Sequence, residues 1–208
     1  MVTRTIARRA ALAGASITVA LALAACADDP TSGHDMPGAA GTATPAAGAS
    51  TSFAAADVMF AQMMIPHHQQ AVEMSELAET RAADPEVKKL AGQIRAAQGP
   101  EIATMRGWLA AWGRPAPSAS AGHGMPGMDH GMPGMMSEAD LAKLTAASGT
   151  DFHRQFLTMM IAHHEGAITM AEEEIARGVH PDATALARQI VTTQQGEIDA
   201  MRKMLDRL

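Results

Sequence analysis

Tyrosine is absent from this 208-residue chain, phenylalanine occurs four times and tryptophan twice, so aromatic side chains can fill little of any core. There is one cysteine, Cys26, which excludes an internal disulfide and a thiolate metal cluster. Basic residues are outnumbered, with 16 Lys and Arg against 22 Asp and Glu, and that balance argues against nucleic acid as a partner. No stretch offers the ~20 consecutive apolar residues that a confident membrane-spanning helix requires. What the chain does have is methionine, 17 residues of it. With no thiol to use beyond Cys26, any soft-metal chemistry must rest on thioether sulfur.

The chain starts MVTRTIARRAALAGASITVALALAAC, with Arg4, Arg8 and Arg9, no acid, an apolar run and then small residues. That order is the order of a secretory signal peptide, assigned to residues 1–25. Leu23-Ala24-Ala25-Cys26 resembles the bacterial lipobox, which implies cleavage before Cys26 and lipidation of that residue. The expectation is an exported, cell-envelope lipoprotein that touches membrane through its anchor alone. Removing residues 1–25 takes away three arginines and no acid, moving the net charge from −6 to −9.

Residues 26–52 are mostly Gly, Ala, Pro, Ser and Thr, which cannot bury enough surface to offset chain entropy, and they read as a flexible tether. A second such stretch, 113–136, separates two regions of Ala, Met, Leu, Glu and Gln whose composition favours helix. These two regions are copies related by a constant offset of 96 residues. Nine of 18 positions agree between 59–76 and 155–172, and nine of 19 between 91–109 and 187–205. Asp84-Pro85 and His180-Pro181 align as well, and each marks a turn, because proline suits the first turn of a helix and disfavours helix just before it. Each copy therefore reads as a helical hairpin, about 53–112 and about 137–208. A lone hairpin has too little core, whereas two related by a pseudo-twofold bury both apolar faces. The predicted fold is all-α, one four-helix bundle over 53–208 with the 113–136 linker as its long crossover.

On the first helix Phe60, Met63, His67, Met74 and Leu77 recur at spacings of three, four and seven, so they share a face, and Phe156, Met159, His163 and Met170 repeat the stripe. His68 is turned about 100° from His67 and stacks with Met64, as His164 does with Met160. Either histidine of each pair can be the one facing the core, since a small rotation of the helix exchanges them. Gln98, Glu101 and Met105, with their copies Gln194, Glu197 and Met201, form a polar-to-sulfur stripe on the second helices that can meet the first across each hairpin and back up metal ligands there. Methionine at helical spacing is ordinarily adaptable core filler, and one histidine on an apolar face is ordinarily a hydrogen-bonded core residue. Two adjacent histidines, each with Met at i−4 and kept in both copies, are harder to explain that way. Pro66 stands inside the first helix opposite Ala162 and is expected to kink it.

A mixed thioether and imidazole set suits copper, because Met favours Cu(I) while His accepts both Cu(I) and Cu(II). The linker adds to this: His123, Met125, Met128, His130, Met132, Met135 and Met136 sit among Gly and Pro, where bulky Met has no core to fill. These residues are candidates for capturing copper and passing it to the bundle.

The segments MMIPHHQQAVEMS and MMIAHHEGAITMA, each followed by a Gln-x-x-Glu-Ile-x-x-Met helix, closely resemble the CopM-like family, also called domain of unknown function 305. The resemblance covers about 53–208 and implies a ferritin-like four-helix fold and an exported protein concerned with copper. The ligands it implies are Met63, Met64, His67, His68 and Met74, with Met159, Met160, His163, His164 and Met170. Two other readings compete. A di-iron enzyme of the bundle type needs four inward acids and two Glu-x-x-His pairs, and no Glu-x-x-His occurs in the chain. A lipoprotein interaction module would use the His/Met stripes only as core. No nucleophile with its base and orienting acid, and no cofactor fingerprint, is present, so the expectation is a copper-buffering, storage or resistance protein without catalysis, served by a copper-handling protein partner.

Overall fold

A computed structural model describes residues 52–118 and 132–208. The signal peptide, Cys26, nearly all of the tether, and His123, Met125, Met128 and His130 of the linker lie outside the described residues. The described residues form five helices and no strand: α1 (Ala55–Arg81), α2 (Pro85–Ala111), α3 (Glu138–Ala146), α4 (Gly149–Arg177) and α5 (Pro181–Leu205). None of the described helices is long and apolar enough to cross a membrane.

The two hairpins are α1–α2 and α4–α5. At the first turn Asp84 caps α2, accepting from the Glu86 N–H at 2.7 Å, and Pro85 occupies the first helical position, where its missing N–H costs nothing. At the second turn His180 takes the same place, its Nδ1 accepting from the Ala183 N–H at 3.3 Å ahead of Pro181. Helix α3 is an addition to the four predicted helices. Ser137 caps it by accepting from the Asp140 N–H, and Leu141 and Leu144 are buried against the core. Pro66 is buried within α1, which runs through it without interruption.

Each hairpin closes the other's turn. Asp57, near the start of α1, accepts from the backbone N–H groups of Val179 and His180 at 3.1 and 2.9 Å, in the turn between α4 and α5. Its repeat equivalent, His153 near the start of α4, accepts through Nε2 from Ala83 and Asp84 N–H at 2.9 and 3.1 Å, in the turn between α1 and α2. These reciprocal clasps make α1 and α4 antiparallel neighbours and place the pseudo-twofold near their middles.

The apolar core is consequently split in two. One half joins Met74, Ala78, Leu90 and Ile94 to Phe152, Phe156, Met160 and Met201; the other joins Phe60, Met64, Met105 and Leu109 to Ala167, Met170 and Ile190. Along every long helix the order is one apolar cluster, a polar band, then the other cluster. The band holds His67 and His68 on α1, Gln98 and Glu101 on α2, His163 and His164 on α4, and Gln194 and Glu197 on α5.

Candidate metal centre

All four histidines of the band are buried, with His67, His68 and His164 at 0% and His163 at 1% exposure. The choice between neighbours left open by helical periodicity does not arise, because α1 is packed on both sides. His67 turns toward α4, where its ring lies 3.7 Å, centroid to centroid, from that of His163. His68 turns toward α2, and its Nε2 is 2.7 Å from Glu101 Oε2. The copy is faithful: His164 Nε2 is 2.7 Å from Glu197 Oε2 on α5. The polar stripes of α2 and α5 thus meet the histidine stripes across each hairpin.

The methionines divide by cluster. Met64, Met105 and Met170 share one apolar half, and Met74, Met160 and Met201 share the other, so each half takes thioethers from three helices next to the polar band. Met63 and Met159 are only partly buried, at the margins of these halves. Of the linker residues, Met132, Met135 and Met136 are described, all partly buried.

Those last linker residues form a strap over the histidine pair. The Pro133 carbonyl accepts from His67 Nε2 at 3.0 Å, and Gln70 brackets Met136, its amide donating to the Met136 carbonyl at 2.9 Å and accepting from its N–H at 2.8 Å. Gly134 has φ of 76°, and its backbone comes so close to Ala162 and His163 that a side chain there has no room. Gly166, the repeat partner of Gln70, likewise leaves space that the Pro133 backbone fills. Replacing Gly166 with Ala drives a Cβ into that carbonyl and dislodges the strap; the expected loss is about 1–3 kcal/mol in urea denaturation, and unchanged stability would show that the strap does not press on α4.

The electrostatics favour neutral rings at His67 and His163. Burial pushes His67 down to about 3, helped by the neighbouring His68 and opposed by the bond to Pro133. Burial and the facing His67 hold His163 well below the usual histidine range. The ring nitrogens are poorly satisfied: Nδ1 of His67, His68 and His164, and both nitrogens of His163, are buried without a hydrogen-bond partner, as are both amide atoms of Gln98. A buried polar atom left unpaired costs about 1–3 kcal/mol, so five orphaned imidazole nitrogens in one band need a reason. A lone pair on each neutral ring, held for a metal ion, supplies one for four of the five. Among the described residues, no group of three or more His, Cys, Asp or Glu is arranged to hold a metal by itself. The thioethers beside the band supplement these imidazoles with the donor type that a soft ion favours.

Sequence reading missed three parts of this centre: the Pro133 carbonyl, the Gln70 bracket, and the clasps at Asp57 and His153. The one signal for the strap was the break in the repeat at Gln70 and Gly166.

Fold and centre together define a duplicated all-helical bundle with imidazoles on its pseudo-twofold and thioethers to either side. The chain belongs to the family described as Domain of unknown function (DUF305), whose model matches residues 57–205. Among solved structures, a family member from Streptomyces coelicolor described as secreted is 38% identical, with a TM-score of 0.66 over 73% of this chain and 93% of that one. CopM in its Cu(I)-bound form is 34% identical, with a TM-score of 0.61 over 73% of this chain and 96% of that one. The Cu(II)-bound form of CopM gives 37% and 0.63 over the same shares. An uncharacterised protein of Acanthamoeba polyphaga mimivirus is 42% identical over 53 residues, a stretch that spans 26% of this chain and 35% of the viral protein.

Proposed function

We propose that this protein is an exported, lipid-anchored copper-binding protein that buffers or stores copper outside the cytoplasm and contributes to copper resistance. The observation that carries the reading is the set of four fully buried histidines whose unpartnered nitrogens sit between two thioether clusters. The likeness to CopM, solved with both Cu(I) and Cu(II), supports copper as the ion. His67, His68, His163 and His164 are the imidazole donors, with Met64, Met74, Met160 and Met170 as the buried thioethers of the same helices and Met63 and Met159 at the rim. Met105 and Met201 back them from the second helices. Thioether and neutral imidazole bind without losing a proton, so uptake by these donors releases little acid. Export and lipidation rest on the leader and Cys26, together with the relative described as secreted. The function is binding without catalysis, with a copper-handling protein as the partner that receives or supplies the ion.

A carboxylate di-iron centre finds little support here. Glu101 and Glu197 are the acids of the band, and each is engaged by a histidine rather than held free for a metal.

The test is a Cu(I) titration of residues 27–208 under anaerobic conditions against a chromogenic chelator, beside a variant with His67, His68, His163 and His164 all changed to Ala. A tight component absent from the variant, whose helicity is checked by circular dichroism, is the expected result. Equal binding by both proteins would make the histidines structural and move the interaction-module reading to first place.

A further inference from the structure

Three of the four buried imidazoles face groups that can only accept a hydrogen bond. His68 Nε2 meets Glu101 Oε2, His164 Nε2 meets Glu197 Oε2, and His67 Nε2 meets the Pro133 carbonyl. A peptide carbonyl has no hydrogen to give. Neither does a carboxylate, so the hydrogen in each of these pairs comes from the ring. In all three histidines the proton is therefore on Nε2, and in the neutral ring the lone pair is left on Nδ1. Those three Nδ1 atoms are the ones buried with no partner.

We infer that Glu101, Glu197 and the Pro133 carbonyl are positioning groups that hold His68, His164 and His67 as Nε2–H tautomers and present Nδ1 as the ligating atom for a soft monovalent cation. The inference deepens the copper reading and rests on it. Coordination through Nε2 instead would break three hydrogen bonds of 2.7–3.0 Å and leave the buried Glu101 carboxylate without its partner. Anchoring the far side of a ligating ring fixes its tautomer and its aim, and loss of such an anchor typically weakens metal binding by about 10–100-fold.

The pattern also breaks the pseudo-symmetry in a defined way. Glu101 and Glu197 are repeat equivalents, so His68 and His164 are held alike. His67 and His163 are equivalents too, but the strap passes once and bonds only His67, leaving both nitrogens of His163 unpartnered. His163 is the one ring of the four bonded neither by a band carboxylate nor by the strap, and it can present either nitrogen to an ion shared with His67.

The experiment uses the protein with 15N-labelled histidine and long-range 1H–15N correlation spectra, first without metal and then with Ag(I), a redox-silent d10 ion like Cu(I). Expected without metal is the Nε2–H pattern at His67, His68 and His164. Expected with Ag(I) is a shift and silver coupling at Nδ1 while the Nε2–H signals persist. In parallel, Glu101→Leu with Glu197→Leu should release the tautomers of His68 and His164 and weaken Ag(I) binding about 10–100-fold. Glu101→Gln with Glu197→Gln, whose amide carbonyls still accept, should restore most of both. Silver coupled to Nε2, or a Leu variant that keeps both tautomer pattern and affinity while folded by circular dichroism, overturns the inference alone. Failure of the wild-type protein to bind Ag(I) or Cu(I), with the Nε2–H pattern intact, sinks the copper reading and the ligation claim with it.

Discussion

Between about pH 5 and pH 8 the protein should lose stability relative to a Glu174→Gln variant, by up to about 1.4 kcal/mol per pH unit in the middle of that range and less at its ends. Glu174 is buried, and burial, reinforced by the Asp57 carboxylate beside it, pushes its carboxyl from 4.5 up to about 8. Asp57 goes the other way: burial alone would raise it, but the N–H groups of Ala54 and His180 outweigh burial and keep it ionised, below its usual value. The folded chain therefore carries a proton on Glu174 across a range in which the unfolded chain has lost it. A raised acid of this kind contributes stability that is fully present below the unfolded value of 4.5 and is lost as pH rises through the folded value of about 8. Glutamine keeps the shape and a hydrogen to offer Asp57 but has nothing to ionise. The buried histidines produce the opposite slope, since their lowered values make the fold lose stability as pH falls below about 6.5. Both proteins share that term, so it cancels in the difference. Urea denaturation of the metal-free proteins across this range reads the difference directly, and parallel curves would mean that Glu174 is ionised in the folded state.

Copper should act as a thermal clamp. A ligand that binds only the folded chain adds RT ln(1 + [L]/Kd), about 2.7 kcal/mol when free Cu(I) exceeds Kd a hundredfold. For a bundle of this size that corresponds to a rise in Tm of about 6–10 °C. The proposed donors lie on α1 and α4, with support from α2 and α5, so a bound ion should tie all four long helices and leave no sub-part to melt early. Adding a high-affinity Cu(I) chelator should return the melting curve to that of the metal-free protein. The variant lacking His67, His68, His163 and His164 should show no shift. A shift of equal size in that variant would place the copper outside the histidine band.

The fold was legible because duplication supplies its own control. An offset of 96 residues that matches His67 with His163, His68 with His164 and Glu101 with Glu197 carries the hairpins, the bundle and the imidazole and carboxylate parts of the centre. Legibility failed where the copies do different work. Asp57 and His153 perform the same clasp with different chemistry, an oxygen in one and a ring nitrogen in the other, so comparing the repeats hides the role. The strap acts through the backbone of Pro133 and Gly134, and a carbonyl leaves no trace in residue type. Its imprint falls on the neighbours, as Gln70 where a side chain must grip it and Gly166 where one must be missing. Periodicity could not separate His67 from His68 because it assumes one buried face, and α1 has two. Helix α3 is nine residues long and follows a Gly/Pro/Met stretch, which masks so short a pattern.

The reciprocal clasps carry a consequence for how such a protein could have arisen. A solitary hairpin would own half of the imidazoles and would leave the two N–H groups at its turn to be capped by another chain, so it would be an obligate pair-former whose centre exists only at the meeting of two subunits. Joining the two halves in one polypeptide makes assembly of the centre independent of concentration. It also frees the halves to diverge, and the single strap, seated on one side of an otherwise symmetric pair, is a difference that two identical subunits could not encode.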